Sequence, residues 1–192
     1  MKKQALSLLL ALSLISVPAL AKENSADNFV RSKTYAGQFS DLPEDHTFYE
    51  NVAALYEYGL SVGQADGTYG LTAPMTVGQA VIFAGRIRSL YRTGDPEAGP
   101  AAFTAAAIGL KDAQRVYAPY LWYLQAEGVL DKTLDDQLSD VATRAQMAHV
   151  LANLLPETAL PPVNDSLITQ AYASRRRITD VRSEEHTSEL QS

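Results

Sequence analysis

The 192-residue chain has no cysteine. That excludes a disulfide framework, thiolate zinc sites and a cysteine nucleophile. Histidine is scarce: His46, His149 and His186 are the only three, and they lack the spacing of a metal centre. They also leave little for Ser-His catalysis. Basic side chains are in the minority, 16 Lys+Arg against 22 Asp+Glu, for a net charge of −6. A general nucleic-acid binder would carry a basic face instead. No apolar run reaches the ~20 residues that a membrane-spanning helix needs. What the chain does have is 46% hydrophobic residues, enough for an ordinary globular core. Nothing in this inventory calls for a cofactor.

Both ends stand apart from the rest. Lys2 and Lys3 precede an apolar stretch from Ala5 to Val17, Pro18 breaks it, and Ala19-Leu20-Ala21 has the small-x-small form of a cleavage site. Residues 1–21 therefore read as a secretory signal peptide, which implies an extracytoplasmic protein with no integral span after cleavage. The uncleaved anchor is the alternative. Residues 182–192, RSEEHTSELQS, match the in-frame translation of a sequencing-library adapter at all eleven positions. They are set aside, and His186 with them; the alternative is a natural polar tail.

Between the ends lies a repeat. Phe39-Ser40-Asp41-Leu42, a helical pattern from His46 to Leu60, and Thr76-Val77-Gly78-Gln79 with an apolar helix form one copy. Leu110-Lys111-Asp112-Ala113, a helical pattern from Val116 to Val129, and Thr143-Arg144-Ala145-Gln146 with an apolar helix form the second. Asp41 and Asp112 are 71 residues apart, Thr76 and Thr143 are 67 apart. A third copy starts at Ile178-Thr179-Asp180-Val181, 68 residues after Asp112.

Each copy reads as helix, loop, helix. Phe48, Val52, Leu55 and Tyr56 lie at helical spacing before Gly59; Tyr117, Leu121 and Leu124 do so before Gly128. Glycine suits a helix end because it tolerates a left-handed cap. In the second helices Ala80, Phe83, Ala84 and Ile87 match Met147, Val150, Leu151 and Leu154, one buried stripe each. Thr76-x-x-Gln79 and Thr143-x-x-Gln146 are capping boxes, in which the Thr hydroxyl accepts a first-turn N–H and the Gln reaches back. Asp66-Gly67-Thr68-Tyr69 is a turn that copy two lacks. The expected order is a mobile segment 22–38, repeat one at 39–92, an exposed linker 93–109 with a short helix from Ala101 to Ala107, and repeat two at 110–155. A linker 156–177 and the start of repeat three at 178–181 follow.

These residues resemble the S-layer homology domain. Copy one matches at Phe39-x-Asp41-Leu42, Gly59-Leu60, Gly63, Asp66-Gly67-Thr68-Tyr69 and Thr76-x-Gly78-Gln79; copy two at Asp112, Gly128-Val129 and Thr143-Arg144-Ala145-Gln146. Thr47 and Val116 stand where the family usually has Trp, and Val77 where it has Arg. The resemblance implies an all-α fold of tandem helix-loop-helix repeats arranged as prongs. It also implies non-covalent anchoring of a secreted surface protein to cell-wall polysaccharide, often through pyruvylated sugars. Two alternatives remain: the anchoring part of an exported hydrolase whose catalytic domain lies elsewhere, and a self-assembling envelope protein.

Arg144 is the most informative side chain. It lies in the first turn of a helix, where a cation costs about 0.3–1 kcal/mol against the macrodipole. The same helix end favours anions, and a guanidinium there grips a carboxylate bidentately. Arg144 is therefore expected to bind an acid group of the glycan, or else to pair with Asp112 or Asp140. The resemblance extends the glycan set to Asp41, Asp112, Gly63 and Gln146. For Asp41 and Asp112 a capping or turn role is the competing reading, and for Gly63 backbone geometry. Trp122, beside Tyr117, Tyr120 and Tyr123, falls one position off the apolar stripe, which suits exposure and stacking on sugars; packing is the alternative. Asp131, Asp135, Asp136 and Asp140 lack calcium-loop spacing. Arg175-Arg176-Arg177 is a solvated basic run.

Overall fold

The computed structural model describes residues 23–160. The signal-peptide reading, the adapter tail, the basic run and the start of the third copy all lie outside them.

Among the described residues there are six α-helices: α1 (Tyr49–Glu57), α2 (Val77–Thr93), α3 (Ala98–Ala101), α4 (Thr104–Ala107), α5 (Asp112–Ala126) and α6 (Arg144–Ala152). Among the described residues there is no strand beyond one antiparallel bridge, Thr76 to Val141. The all-α expectation holds.

Local chemistry sets the ends of the long helices. Both expected capping boxes form: Thr76 Oγ1 accepts from Gln79 N and Gln79 Oε1 from Thr76 N, at 3.2 and 2.8 Å. Thr143 and Gln146 repeat this at 3.1 and 2.8 Å. Gly59 and Gly128 follow α1 and α5 with φ of +72° and +69°, where a side chain would be strained.

The main core lies where α2 crosses α5 and α6. Val77, Val81, Ala84, Leu124 and Val150 are fully buried there, with Leu121, Leu130, Leu134 and Leu154 around them. Two glycines let α2 and α5 approach closely. A Cβ on Gly78 would meet the Tyr117 ring at 2.6 Å, and one on Gly85 would meet Tyr120 at 2.9 Å. Arg86 sits over the Tyr120 ring, 5.7 Å from its centroid, and pairs with Glu97 at 2.8 Å; the Tyr120 hydroxyl donates to the same carboxylate at 2.6 Å. Burial, with Glu97 beside it, pushes that hydroxyl up to about 12, so it stays a neutral donor. Glu127 holds Arg88 and Arg92 at 3.1 and 3.2 Å at the other end of the contact.

A second, smaller core belongs to α1. Phe39, Leu42 and Val52 are buried among Tyr35, Tyr49, Tyr56, Tyr69 and Leu71.

Several expectations fail for identifiable reasons. The polar segment before Gln38, expected to be mobile, is hydrogen-bonded to the ends of α1 and α2. Ser32 and Lys33 donate to the Glu57 carbonyl, Ser25 to that of Tyr91, and the buried Asn28 amide also donates to Tyr91. Its anchors are backbone groups, which composition does not reveal. The stretch from Thr93 to Pro100 is exposed for the most part, as expected, and it is also clasped: Ser89 Oγ donates to the Asp95 carbonyl at 2.6 Å and accepts from Gly99 N at 2.9 Å. The single short helix expected over Ala101 to Ala107 is two, α3 and α4. Phe48 caps α1 and is exposed, because the helix starts only at Tyr49. Leu151 leaves its stripe and is 39% exposed, although its counterpart Ala84 is fully buried.

Candidate functional site

The loop of the first repeat is organised by Asp41. Its Oδ1 accepts from Tyr69 N at 2.6 Å, and its Oδ2 from Gly70 N at 2.8 Å and Leu71 N at 3.3 Å. Three backbone donors favour the charged form and hold the carboxyl below its usual range, against a smaller opposing effect of burial. Gly63 lies beneath the same loop at φ +70°, and a Cβ there would collide with the Phe39 ring and the Thr68 carbonyl. Asp66 Oδ1 accepts from both the amide and the hydroxyl of Thr68, at 3.0 and 2.7 Å.

The second repeat has no Asp-Gly-Thr turn, but it has an Asp–Thr bond of its own, three residues after Gly128 where Asp66 lies seven after Gly59. Asp131 Oδ1 accepts from the amide and hydroxyl of Thr133, as Asp66 does from Thr68. Its middle residue, Lys132, has no positive φ whereas Gly67 sits at φ +81°, so the two backbones differ.

The two helix starts with capping boxes differ in one respect. At α2 the amides of Val77 and Gly78 donate to the carbonyls of Asp140 and Leu138, at 2.9 and 2.8 Å, so second-repeat backbone closes that end. At α6 the amides of Arg144 and Ala145 have no protein acceptor among the described residues. Arg144 is exposed and makes no ion pair with any described side chain. The expected pairing with Asp140 is thus not formed. An exposed guanidinium stands next to two open N–H groups on the positive end of a helix.

The remaining expected site residues are dispersed. Gln146 is spent on the cap, and its Nε2 donates to Gln137 Oε1 at 2.6 Å. Asp112 opens α5, with its side chain outside the described atoms. Trp122 is half-buried on α5 rather than exposed. Asp41 and Gly63 lie in the first-repeat loop, and Arg144 and Gln146 at the start of α6. His149 is exposed, 3.8 Å from Asp131. Among the described residues no group of three His, Cys, Asp or Glu is placed to hold a metal ion, and no helix is long and apolar enough to cross a membrane.

Residues 38–80 match the family model of the S-layer homology domain. This similarity to the S-layer homology domain covers 43 of the 192 residues. The match runs from the loop clamped by Asp41 through the capping box of α2, which is where the carboxylate, glycine and cap geometry described above are concentrated. S-layer homology domains hold surface proteins to the cell wall by binding its polymers, and they are anchoring modules rather than catalysts. The domain marks the protein as associated with the cell surface or cell wall. No curated protein and no solved structure matches the chain.

Proposed function

We propose that this S-layer homology protein is secreted and anchors to an acidic secondary cell-wall polysaccharide, with the start of α6 receiving a carboxylate such as that of a pyruvylated sugar. The observation that carries the reading is Arg144, without an ion-pair partner among the described residues, beside the amides of Arg144 and Ala145, which have no acceptor among them either. A planar guanidinium and two parallel N–H groups match the two oxygens of a carboxylate. With a net charge of −6 the chain repels an acidic polymer at long range, but that repulsion is screened within ~8–10 Å at ordinary salt. Binding then rests on local cations and hydrogen bonds.

In this reading Asp41 and Gly63 shape the loop and Gln146 holds the cap, so none of the three touches sugar directly. Half-buried Trp122 serves packing first. Residues 39–92 and 110–155 act as two units of one anchor.

The test is co-sedimentation with purified wall sacculi. Arg144→Ala should weaken retention more than tenfold, in line with the ~1.5–3 kcal/mol of a hydrogen bond to a charged group. Arg144→Glu should abolish retention while stabilising α6, since an acid suits the first turn. Removing the pyruvyl groups should reduce wild-type binding to the Arg144→Ala level. Undiminished binding of a folded Arg144→Ala protein refutes the role of the arginine. Equal binding to polymer-stripped sacculi would point to self-assembly or another wall component.

A further inference from the structure

Ser89 is the one serine of α2, and it is fully buried. A buried hydroxyl must find its partners inside the protein. This one finds them in the turn that follows the helix. Ser89 Oγ accepts from Gly99 N at 2.9 Å, and its own proton goes to the Asp95 carbonyl, 2.6 Å away. Thr93 Oγ1 stands 3.0 Å from the same carbonyl oxygen and 2.9 Å from that of Ser89, and it accepts from Asp95 N at 3.1 Å. Two hydroxyls thus converge on one backbone oxygen.

That oxygen belongs to a chemically distinct bond. Asp95–Pro96 is the only Asp-Pro pair in the chain. Such a bond carries its own nucleophile, because the aspartate carboxylate reaches its own carbonyl carbon by closing a five-membered ring. The proline nitrogen is a tertiary amide, and it leaves as a basic secondary amine once protonated. The turn also aims the carboxylate. Asp95 Oδ1 accepts from Glu97 N at 2.9 Å, which closes a hydrogen-bonded ring that includes the Asp95–Pro96 bond. Glu97 is itself fixed, its carboxylate held by Arg86 at 2.8 Å and by the Tyr120 hydroxyl at 2.6 Å. Asp95 and Glu97 are exposed, so water reaches the bond.

We infer that the fold promotes self-cleavage of the Asp95–Pro96 bond in mild acid, with Asp95 as nucleophile and Ser89, assisted by Thr93, as oxyanion donor. In the first step an Asp95 carboxylate oxygen adds to the Asp95 carbonyl carbon. The carbonyl oxygen gains negative charge and draws on the two hydroxyls. The C–N bond then breaks, and Pro96 N takes a proton from hydronium. This leaves a cyclic anhydride on Asp95 and a free amine on Pro96. In the second step water opens the anhydride and restores the Asp95 side chain beside a new α-carboxylate. The net change is hydrolysis of one peptide bond by one water. The cut leaves α2 on one piece and α5 and α6 on the other, and these share the main core. The pieces stay assembled, so the cut shows only under denaturing conditions.

The test incubates the full chain at about pH 5, where carboxylates are ionised and nucleophilic, and reads fragments on denaturing gels with mass spectrometry of their ends. Cleavage should fall between Asp95 and Pro96, and should run at least about tenfold faster in the folded protein than in urea-unfolded protein at the same pH, since the turn holds nucleophile and carbonyl together. Hydroxylamine added during the reaction should appear as a hydroxamate at Asp95, the mark of the anhydride. Ser89→Ala should slow cleavage more than about tenfold, and Asp95→Ala should abolish it. An equal or slower rate in the folded chain overturns the inference, because the hydroxyls then only brace the turn. That comparison needs no variant, so it decides even where Ser89→Ala fails to fold. Cleavage of a folded Ser89→Ala protein at the parent rate overturns the inference as well.

Discussion

Replacing Gly85 by alanine opposes two well-characterised effects and asks which is larger. In an open helix interior the change stabilises by about 1 kcal/mol, because glycine has more conformational entropy to lose. Here the new methyl would sit 2.9 Å from Tyr120 Cδ1 and 3.1 Å from Tyr120 Cβ. The Cβ is fixed to the α5 backbone, and the ring is held by Glu97 and Arg86, so neither atom moves aside freely. Overpacking of this kind costs ~1–3 kcal/mol. The expected net effect is a loss of about 1 kcal/mol, seen as a lower urea midpoint by far-UV circular dichroism and a Tm lower by about 3–5 °C. The partner change exposes the cause. A Tyr120→Ala background removes the ring and keeps only the Cβ contact at 3.1 Å, so the same Gly85→Ala substitution should be clearly less destabilising there. A Gly85→Ala protein more stable than the parent, or one equally destabilised in both backgrounds, would refute the close approach of α2 and α5.

Three further outcomes are expected. Leu124→Ala, at a fully buried position in the α2–α5 core, should cost about 2–5 kcal/mol by chemical denaturation, as cavity-forming substitutions do. Thr143→Ala should cost about 1 kcal/mol and lower the protection of the Gln146 amide, since that amide bonds to the Thr143 hydroxyl. Asp41 has its folded-state pKa lowered, so its contribution is complete above the unfolded carboxylate value of ~3.9 and is lost as pH falls through the lower folded value. NMR of the Tyr69 and Gly70 amides between pH 6 and 2 should show those two signals moving late in the acid titration, below the exposed carboxylates.

What could be read in the chain beforehand was local. Thr76 with Gln79 and Thr143 with Gln146 encode helix starts within four residues, and Gly59 and Gly128 encode helix ends, so each appears where the pattern puts it. Arg144 was legible for the same reason: a cation in a first turn is visible without knowing the fold. The misses were all non-local. Nothing near Ser32 announces that its amide donates to Glu57. Ser89 looks like an ordinary helix serine until Asp95 and Gly99 fold back onto it. The contrast between exposed Leu151 and buried Ala84 reflects which elements cover each helix, not any property of the two residues.

The start of α2 carries one last implication. Its first two amides are satisfied by Asp140 and Leu138, 63 and 60 residues further along the chain. The boundary drawn by the repeating sequence is therefore not a physical seam. A protein cut between the repeats would leave the earlier piece with raw donors at the head of its longest helix, and grafting this anchor onto a foreign cargo calls for both units moved as one block.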